Sequence, residues 1–370
     1  MEERMASQDM TGKIQTVLGP IEPSKFGIAM THEHLLIDLM SYFTVPEEAS
    51  WRYWTDRPIT MDFLGKIGKG WYINKANLRQ YDVNLAIEDV LKFRHAGGNS
   101  LVDTTNVGLG RDPLALARIS RATGLNVVMG ASYYVPIAHP PGTDKKTETQ
   151  IADEIIRDVT VGVGDTGIKA GVIGEIGCMY PLDATLKRIL RGSAHASIET
   201  GCPITIHPGF YDPSSHEILD VLMEAGADPK NVIMGHIGPA LLDRGLLKEL
   251  AARGCYIQHD LFGFEKSDIE YLGKAGTGIS DVQRLERLEF LIDNGFGDQL
   301  LIGQDVCQVW QYTPYGGKGY AHILENIVPR MKKRGFTDAH INAMLVDNPA
   351  RALAFKPAKG TKKASPKKRA

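Results

Sequence analysis

Gly27-Ile-Ala-Met-Thr-His-Glu-His34 is a short apolar run that enters through a glycine and closes on side chains able to bind metals. Seven other runs share its shape. They are Ser100-Leu-Val-Asp-Thr-Thr105, Asn126-Val-Val-Met-Gly-Ala131, Ala170-Gly-Val-Ile-Gly-Glu175, Pro203-Ile-Thr-Ile-His207, Asn231-Val-Ile-Met-Gly-His236, Cys255-Tyr-Ile-Gln-His-Asp260 and Leu300-Leu-Ile-Gly-Gln-Asp305. None exceeds eight residues, and Val and Ile dominate between flanking Gly, Pro or Asn. That is the composition of strands buried on both faces. Between them lie amphipathic stretches over residues 84–95, 114–123, 182–200, 216–225, 241–253 and 282–294. Strands alternating with helices predict a parallel β/α architecture, and eight strands close a (β/α)8 TIM barrel. No Gly-x-Gly-x-x-Gly segment supports a doubly wound nucleotide-binding sheet.

Two connections are longer than a barrel needs. Residues 38–84 follow the first strand and carry Tyr42, Trp51, Trp54 and Trp71; residues 262–281 follow the seventh. Both belong to the C-terminal face, where barrel active sites are built. The aromatics have two readings, a packed cap over the barrel and an apolar wall for a substrate. Trp51, Trp54 and Trp71 are the candidates for that wall.

The polar residues at the strand ends are of one kind. His32 and His34 alternate with Glu33, so the two imidazoles share a face, ~7 Å apart at ~3.3 Å per residue. Glu175, His207, His236 and Asp305 end strands four, five, six and eight. Four histidines and two carboxylates at one end of one barrel would be costly without cations to bind. Six ligands exceed one tetrahedral ion and suit two, bridged by a carboxylate and a solvent-derived hydroxide. On this reading His32, His34 and Asp305 hold the buried ion, His207 and His236 the more exposed one, and Glu175 bridges them. Zn is the expected metal, with Mn, Co or Fe accepted by the same ligands. Lys169 lies six residues before Glu175, ~20 Å away in extended chain, and so belongs to the opposite end of the barrel.

Composition narrows the classes. With 43% hydrophobic and 23% charged residues the chain is globular rather than disordered or fibrous. No run of apolar residues is long enough to span a membrane, and residues 1–11 lack the apolar segment of a secretory signal. Residues 356–370 carry seven Lys or Arg and no acid; without them the body holds 35 basic against 44 acidic residues. Such a body does not suit nucleic acid or anionic lipid. The expected division is a single domain over 1–355 and a basic disordered tail over 356–370. Cys178, Cys202, Cys255 and Cys307 are scattered with no Cys-x-x-Cys pair, which fits a cytoplasmic, reduced protein.

The sequence resembles the phosphotriesterase-related family of the amidohydrolase superfamily. The resemblance runs from Gly12 to Phe355 through Gln15-Thr-Val-Leu-Gly-Pro20, Thr31-His-Glu-His34, Gly171-Val-Ile-Gly-Glu-Ile-Gly177 and Met234-Gly-His-Ile237, with Ile327-Val-Pro-Arg330 and Asp347-Asn-Pro349 near the end. It implies a (β/α)8 barrel with a binuclear metal centre, and a homodimer. In the organophosphate-degrading branch the bridge is a carboxylated lysine; here the matching position is Gly174, with Glu175 beside it. The resemblance is therefore to the glutamate-bridged branch. That branch's counterpart also carries a proton relay at positions occupied here by Pro239 and Leu261. Tyr134, after the third strand, is expected to face the metals as a tyrosine does in the lactone-hydrolysing branch. His259 and Asp260 point to opposite faces, so only one can reach the site, and His259 is included among the candidate substrate contacts. Arg111 and Asp112 read as a turn and helix-cap device.

The expected function is metal-dependent hydrolysis of a carboxyl-derived bond (lactone, carboxylic ester or amide) in a small-molecule substrate. A metal-bridging hydroxide is the nucleophile and Asp305 carries its proton. The alternatives are phosphotriester or phosphoester hydrolysis on the same ligands, and a metal-bearing binding protein without turnover.

Overall fold

The computed structural model describes residues 9–67, 71–265, 268–271 and 274–359 of the 370-residue chain. Eight strands form one sheet in sequential order: β1 (Ala29–Glu33), β2 (Ser100–Asp103), β3 (Asn126–Ala131), β4 (Val172–Gly177), β5 (Ile204–His207), β6 (Val232–Met234), β7 (Tyr256–His259) and β8 (Leu300–Ile302). Every neighbouring pair is parallel, with Ala29 opposite Ser100, Ser100 opposite Asn126 and Ile257 opposite Leu300. The first and last strands meet through Thr31 Oγ1, which donates to the Ile302 carbonyl at 3.3 Å, and Asp305 N–H, which donates to the His32 carbonyl at 3.2 Å. The sheet therefore curls into a nearly closed barrel, as the eight apolar runs predict.

Among the described residues seven helices of nine residues or more surround it: α1 (Val83–His95), α2 (Pro113–Thr123), α3 (Glu148–Thr160), α4 (Ala184–Thr200), α5 (Ser214–Glu224), α6 (Arg244–Ala252) and α7 (Asp281–Asp293). Caps decide where several begin, since a short acceptor side chain satisfies amides the helix leaves open. Asp183 accepts from Leu186 N–H, so the stretch expected from residue 182 starts at Ala184. Asp243 accepts from Leu246 N–H, so the stretch expected over 241–253 starts at Arg244, after a separate turn at Ile237–Ala240. Asp112 caps α2, and Arg111 donates to Gly130 O and Asp158 at 2.7 and 2.8 Å, the structural part expected of both.

The N-terminal face is closed by a hairpin of Ile14–Thr16 and Gly19–Ile21, and Val17 N–H donates to Val127 O. Half-buried Lys169 sits here, with Gln15, Arg121 and Glu199, around a cavity of about 600 Å³. Lys356 N–H donates to Gly201 O and Lys359 N–H to Ile198 O, so the chain stays against α4 for four residues past Phe355. Residues 360–370 of the expected tail lie outside the described residues. Among the described residues no helix is long and apolar enough to cross a membrane.

Candidate active site

Register delivers the site. In a parallel barrel successive strands present their ends at one rim, so a ligand at each end needs no loop to bring it in. His32, His34, Glu175, His207, His236 and Asp305 all gather there, and each is at most 7% exposed. Glu175 is central: Oε1 lies 3.1 Å from His34 Nε2, and Oε2 lies 3.2 Å from His207 Nδ1 and 3.3 Å from both His236 Nε2 and His32 Nε2. Asp305 Oδ1 is 3.4 Å from His34 Nε2 and 4.0 Å from His32 Nε2. Potential ligand atoms come within 4.8 Å of one another in three groups: His32–His34–Glu175, Glu175–His207–His236 and His32–His236–Asp305. Glu175 is common to the first two.

The electrostatics explain what this arrangement lacks by itself. Glu175 and Asp305 are buried, which alone would raise their pKa values, yet both are held below the ordinary carboxylate range. For Glu175 the charge of His32 and bonds to His207 and His236 outweigh burial; for Asp305 the bond to His34 and the charges of His32 and His236 do so. His34 is pushed up to about 10: burial opposes its charge, and bonding to Asp305 and Glu175 overcomes it. His236 is also raised despite burial, by Asp260 first. The carboxylates thus depend on the positive charge around them. His32 Nε2 is buried with no well-formed hydrogen bond although Glu175 faces it. These donors could hold divalent metal ions.

Outer contacts aim the imidazoles. His34 Nδ1 lies 2.8 Å from Thr105 Oγ1, and that hydroxyl donates to Leu36 O, so His34 donates from Nδ1 and turns Nε2 inward. His236 Nδ1 lies 2.8 Å from Asp260 Oδ1. On the other face of β1, fully buried Glu33 accepts from Gln304 N–H at 2.7 Å and Val306 N–H at 3.1 Å, clamping the turn that presents Asp305. Burial pushes Glu33 up to about 8 against those amides. His236, Leu261 and Asp305 hold left-handed φ of 51°, 63° and 54°. Non-glycine residues adopt this at a cost of ~1–3 kcal/mol, and it is tolerated where surrounding contacts over-determine the position.

Gly174 has φ of +127°, and a β-carbon there would lie 2.1 Å from the Thr205 carbonyl oxygen. A lysine cannot occupy that position without displacing β5. Pro239 is buried in the turn after β6, and Leu261 is part of the apolar wall.

The substrate contacts need correction. Tyr134 does line the cleft, its hydroxyl 3.4 Å from His207 Nδ1. His259 does not: it is fully buried on the outer side of β7, burial and the charge of Arg287 hold it well below the usual imidazole range, and neither ring nitrogen has a hydrogen-bond partner among the described residues. Asp260 takes the inward position. Trp51 and Trp54 are outside the cleft lining; Trp54 stacks on Phe63 at 4.4 Å, and Lys66 Nζ lies 5.3 and 5.6 Å from the Trp51 and Trp54 rings. They build the cap, because that loop turns its ring faces onto its own short helix, Met61–Ile67. The Trp71 side chain lies outside the described residues. The aromatic wall comes instead from Tyr42, Phe210 and Phe264. Sequence reasoning also missed Asp260 and Glu33; the alternation that turns Gln258 and Asp260 to one face was the available signal.

A family model described as "Phosphotriesterase family" matches residues 12–353. An N-acetyltaurine hydrolase of Salmo salar is 39% identical over 348 residues, 94% of this chain and 99% of that protein. The Mus musculus N-acetyltaurine hydrolase is 38% identical over the same shares of each chain. Among solved structures, a resiniferatoxin-binding protein from Rhodobacter sphaeroides has a TM-score of 0.90 and 35% identity, with 94% of this chain and 97% of that one covered. A lactonase from Listeria monocytogenes has a TM-score of 0.75 at 23% identity, covering 93% and 100%, which establishes common fold.

Proposed function

The chain belongs to the phosphotriesterase family and is a hydrolase, and from that premise we propose that it cleaves N-acyl amides, with two divalent metal ions held by His32, His34, Glu175, His207, His236 and Asp305. Zn is the proposed metal. The observation that carries this reading is the convergence of four imidazoles on Glu175 within 3.3 Å, in a buried site whose carboxylates are held ionised. The relatives named N-acetyltaurine hydrolase act, by that name, on an amide. Their identity to this chain across 94% of its length favours amides over lactones and esters.

Two divalent ions held by these six residues would supply an activated water as nucleophile and positive charge for the carbonyl oxygen. Water adds across the C–N bond, giving a carboxylate and an ammonium group. Asp305, ionised and 3.4 Å from His34 Nε2, takes the proton that water releases and passes it to the departing nitrogen. The Tyr134 hydroxyl donates to the carbonyl oxygen as it gains charge. Leu39, Tyr42, Leu261 and Phe264 exclude bulk water, which strengthens each of these interactions.

Phosphotriester hydrolysis is the rival, and Gly174, Pro239 and Leu261 speak against it. The test is a screen of the metal-loaded protein against N-acyl amides, lactones, aryl esters and phosphotriesters. The best carboxyl-type substrate is expected to exceed any phosphotriester in kcat/KM by at least ~100-fold, or ~2.7 kcal/mol. Preference for a phosphotriester overturns the reading.

A further inference from the structure

We propose that Gln308 recognises the leaving amine, donating its side-chain amide to an acceptor oxygen that the amine carries. The inference rests on the amide-hydrolase reading and adds a specificity residue to it.

Apart from the six ligand candidates and Tyr134, the polar side chains lining the cleft among the described residues are Tyr42, Cys307 and Gln308. Gln308 is 1% exposed, and its amide is oriented from behind. Trp310 Nε1 donates to Oε1 at 2.7 Å, and Asn77 Nδ2 donates to the same oxygen at 3.2 Å. Those two donors occupy both lone pairs of the oxygen, so the amide cannot flip without losing both bonds. Nε2 lies on the other edge of the group and has no hydrogen-bond partner among the described residues. With the oxygen tied to the loops behind it, the amide of this cleft-lining side chain offers N–H to whatever fills the cleft. A donor left unpaired in a buried site carries a penalty that a substrate oxygen removes.

The backbone beneath Gln308 is stiff and places it relative to the chemistry. Gln311 Oε1 accepts from Cys307 N–H and Gln308 N–H, both at 2.9 Å, and Gln311 Nε2 donates to Asp305 O at 3.0 Å. Asn77 grips the same turn, accepting from Val309 N–H and Trp310 N–H, both at 3.1 Å. Asp305 and Gln308 are thus held in fixed relation after β8. In the proposed reaction Asp305 hands a proton to the departing nitrogen, which puts that nitrogen on the β8 side. Tyr134, the donor to the carbonyl oxygen, reaches in after β3 and stands at His207 on β5. Gln308 therefore meets the substrate beyond the nitrogen, away from the acyl group. The chemistry that fits is an amine bearing a sulfonate, sulfone or carboxylate oxygen. Sites built to hydrogen-bond a substrate group discriminate strongly against the analogue that lacks it.

The test uses metal-loaded full-length protein and the N-acetyl derivatives of three amines. One, 2-(methylsulfonyl)ethylamine, carries an uncharged acceptor; 3-methylbutylamine puts carbon in its place; taurine adds a charge. Wild-type protein is expected to favour the sulfone amide over the 3-methylbutyl amide at least ~10-fold in kcat/KM. Gln308→Glu keeps an oxygen for Trp310 and Asn77 but loses the donor, and Gln308→Met loses both. Each is expected to lower that ratio at least ~10-fold, with metal content measured alongside. A wild-type ratio near one overturns the inference, whether or not the variants fold, and even if the taurine amide is preferred, since charge would then be the cause. So does a folded, metal-replete variant that slows the sulfone and 3-methylbutyl amides equally. Failure to cleave any of the three amides overturns the amide reading beneath it, a result distinct from cleavage without this preference.

Discussion

Asp260 is joined to His236 twice: Oδ1 lies 2.8 Å from the ring Nδ1, and Oδ2 accepts the main-chain N–H at 3.0 Å. The same Oδ2 lies 3.5 Å from His32 Nδ1 and accepts from Gln258 Nε2 at 3.1 Å. One carboxylate thus steadies two imidazoles that both reach Glu175 Oε2. Burial alone would raise its pKa, but His236 and His32 keep it well below the usual range, so it stays ionised.

Asp260→Asn preserves volume and removes that charge. Outer partners of ligating histidines typically contribute ~10–100-fold to metal affinity or activity. We expect a loss of that size in kcat/KM or in metal affinity by competition with a chelator, with the folded structure retained. Wild-type values for both would show that Asp260 is a packing residue only.

The purified protein is expected to carry about two transition-metal ions per chain, and chelation to remove activity that added metal restores. Elemental analysis decides this. One tightly bound ion after full reconstitution would contradict the binuclear site.

Glu175→Gln should lose metal and turnover together, since an amide cannot replace a bridging carboxylate. Lys169→Ala should lose neither, because Lys169 lines the cavity at the opposite face of the barrel. An active, metal-replete Glu175→Gln protein would remove the centre of the proposed site.

Trp54→Ala removes the ring that stacks on Phe63. Truncating a core Trp costs ~3–5 kcal/mol, and Trp54 is half-buried, so about 1–3 kcal/mol is expected in denaturant unfolding. KM for the best substrate should not change. A rise in KM without loss of stability would return Trp54 to the substrate wall.

Ending the chain after Lys359 should leave the melting temperature and turnover unchanged. The eleven residues removed contain no apolar side chain larger than Ala or Pro and so offer almost no apolar area to bury. Ending it at Phe355 is a different experiment, because it removes the hydrogen bonds from Lys356 and Lys359 to the end of α4. Calorimetry on both truncations separates the two.

Much of the fold and of the site was legible in the residues alone. Val- and Ile-rich runs bounded by Gly, Pro or Asn can only be buried strands, eight of them alternating with helices close a barrel, and a barrel puts every strand end at one rim. Ligand-type residues at five of those ends therefore had to meet, and all six do. Three things waited for the tertiary structure. Alternation says that His259 and Asp260 face opposite ways, but the twist and stagger of β7 in the closed barrel decide which one faces in. The loop aromatics have no period to read, so only packing could assign Trp54 to the cap and Tyr42, Phe210 and Phe264 to the cleft. The exclusion of lysine at position 174 is visible only where β5 brings the Thr205 carbonyl within 2.1 Å of the missing β-carbon. Local sequence sets what each strand presents at its end; contacts between segments far apart in the chain set what that end meets.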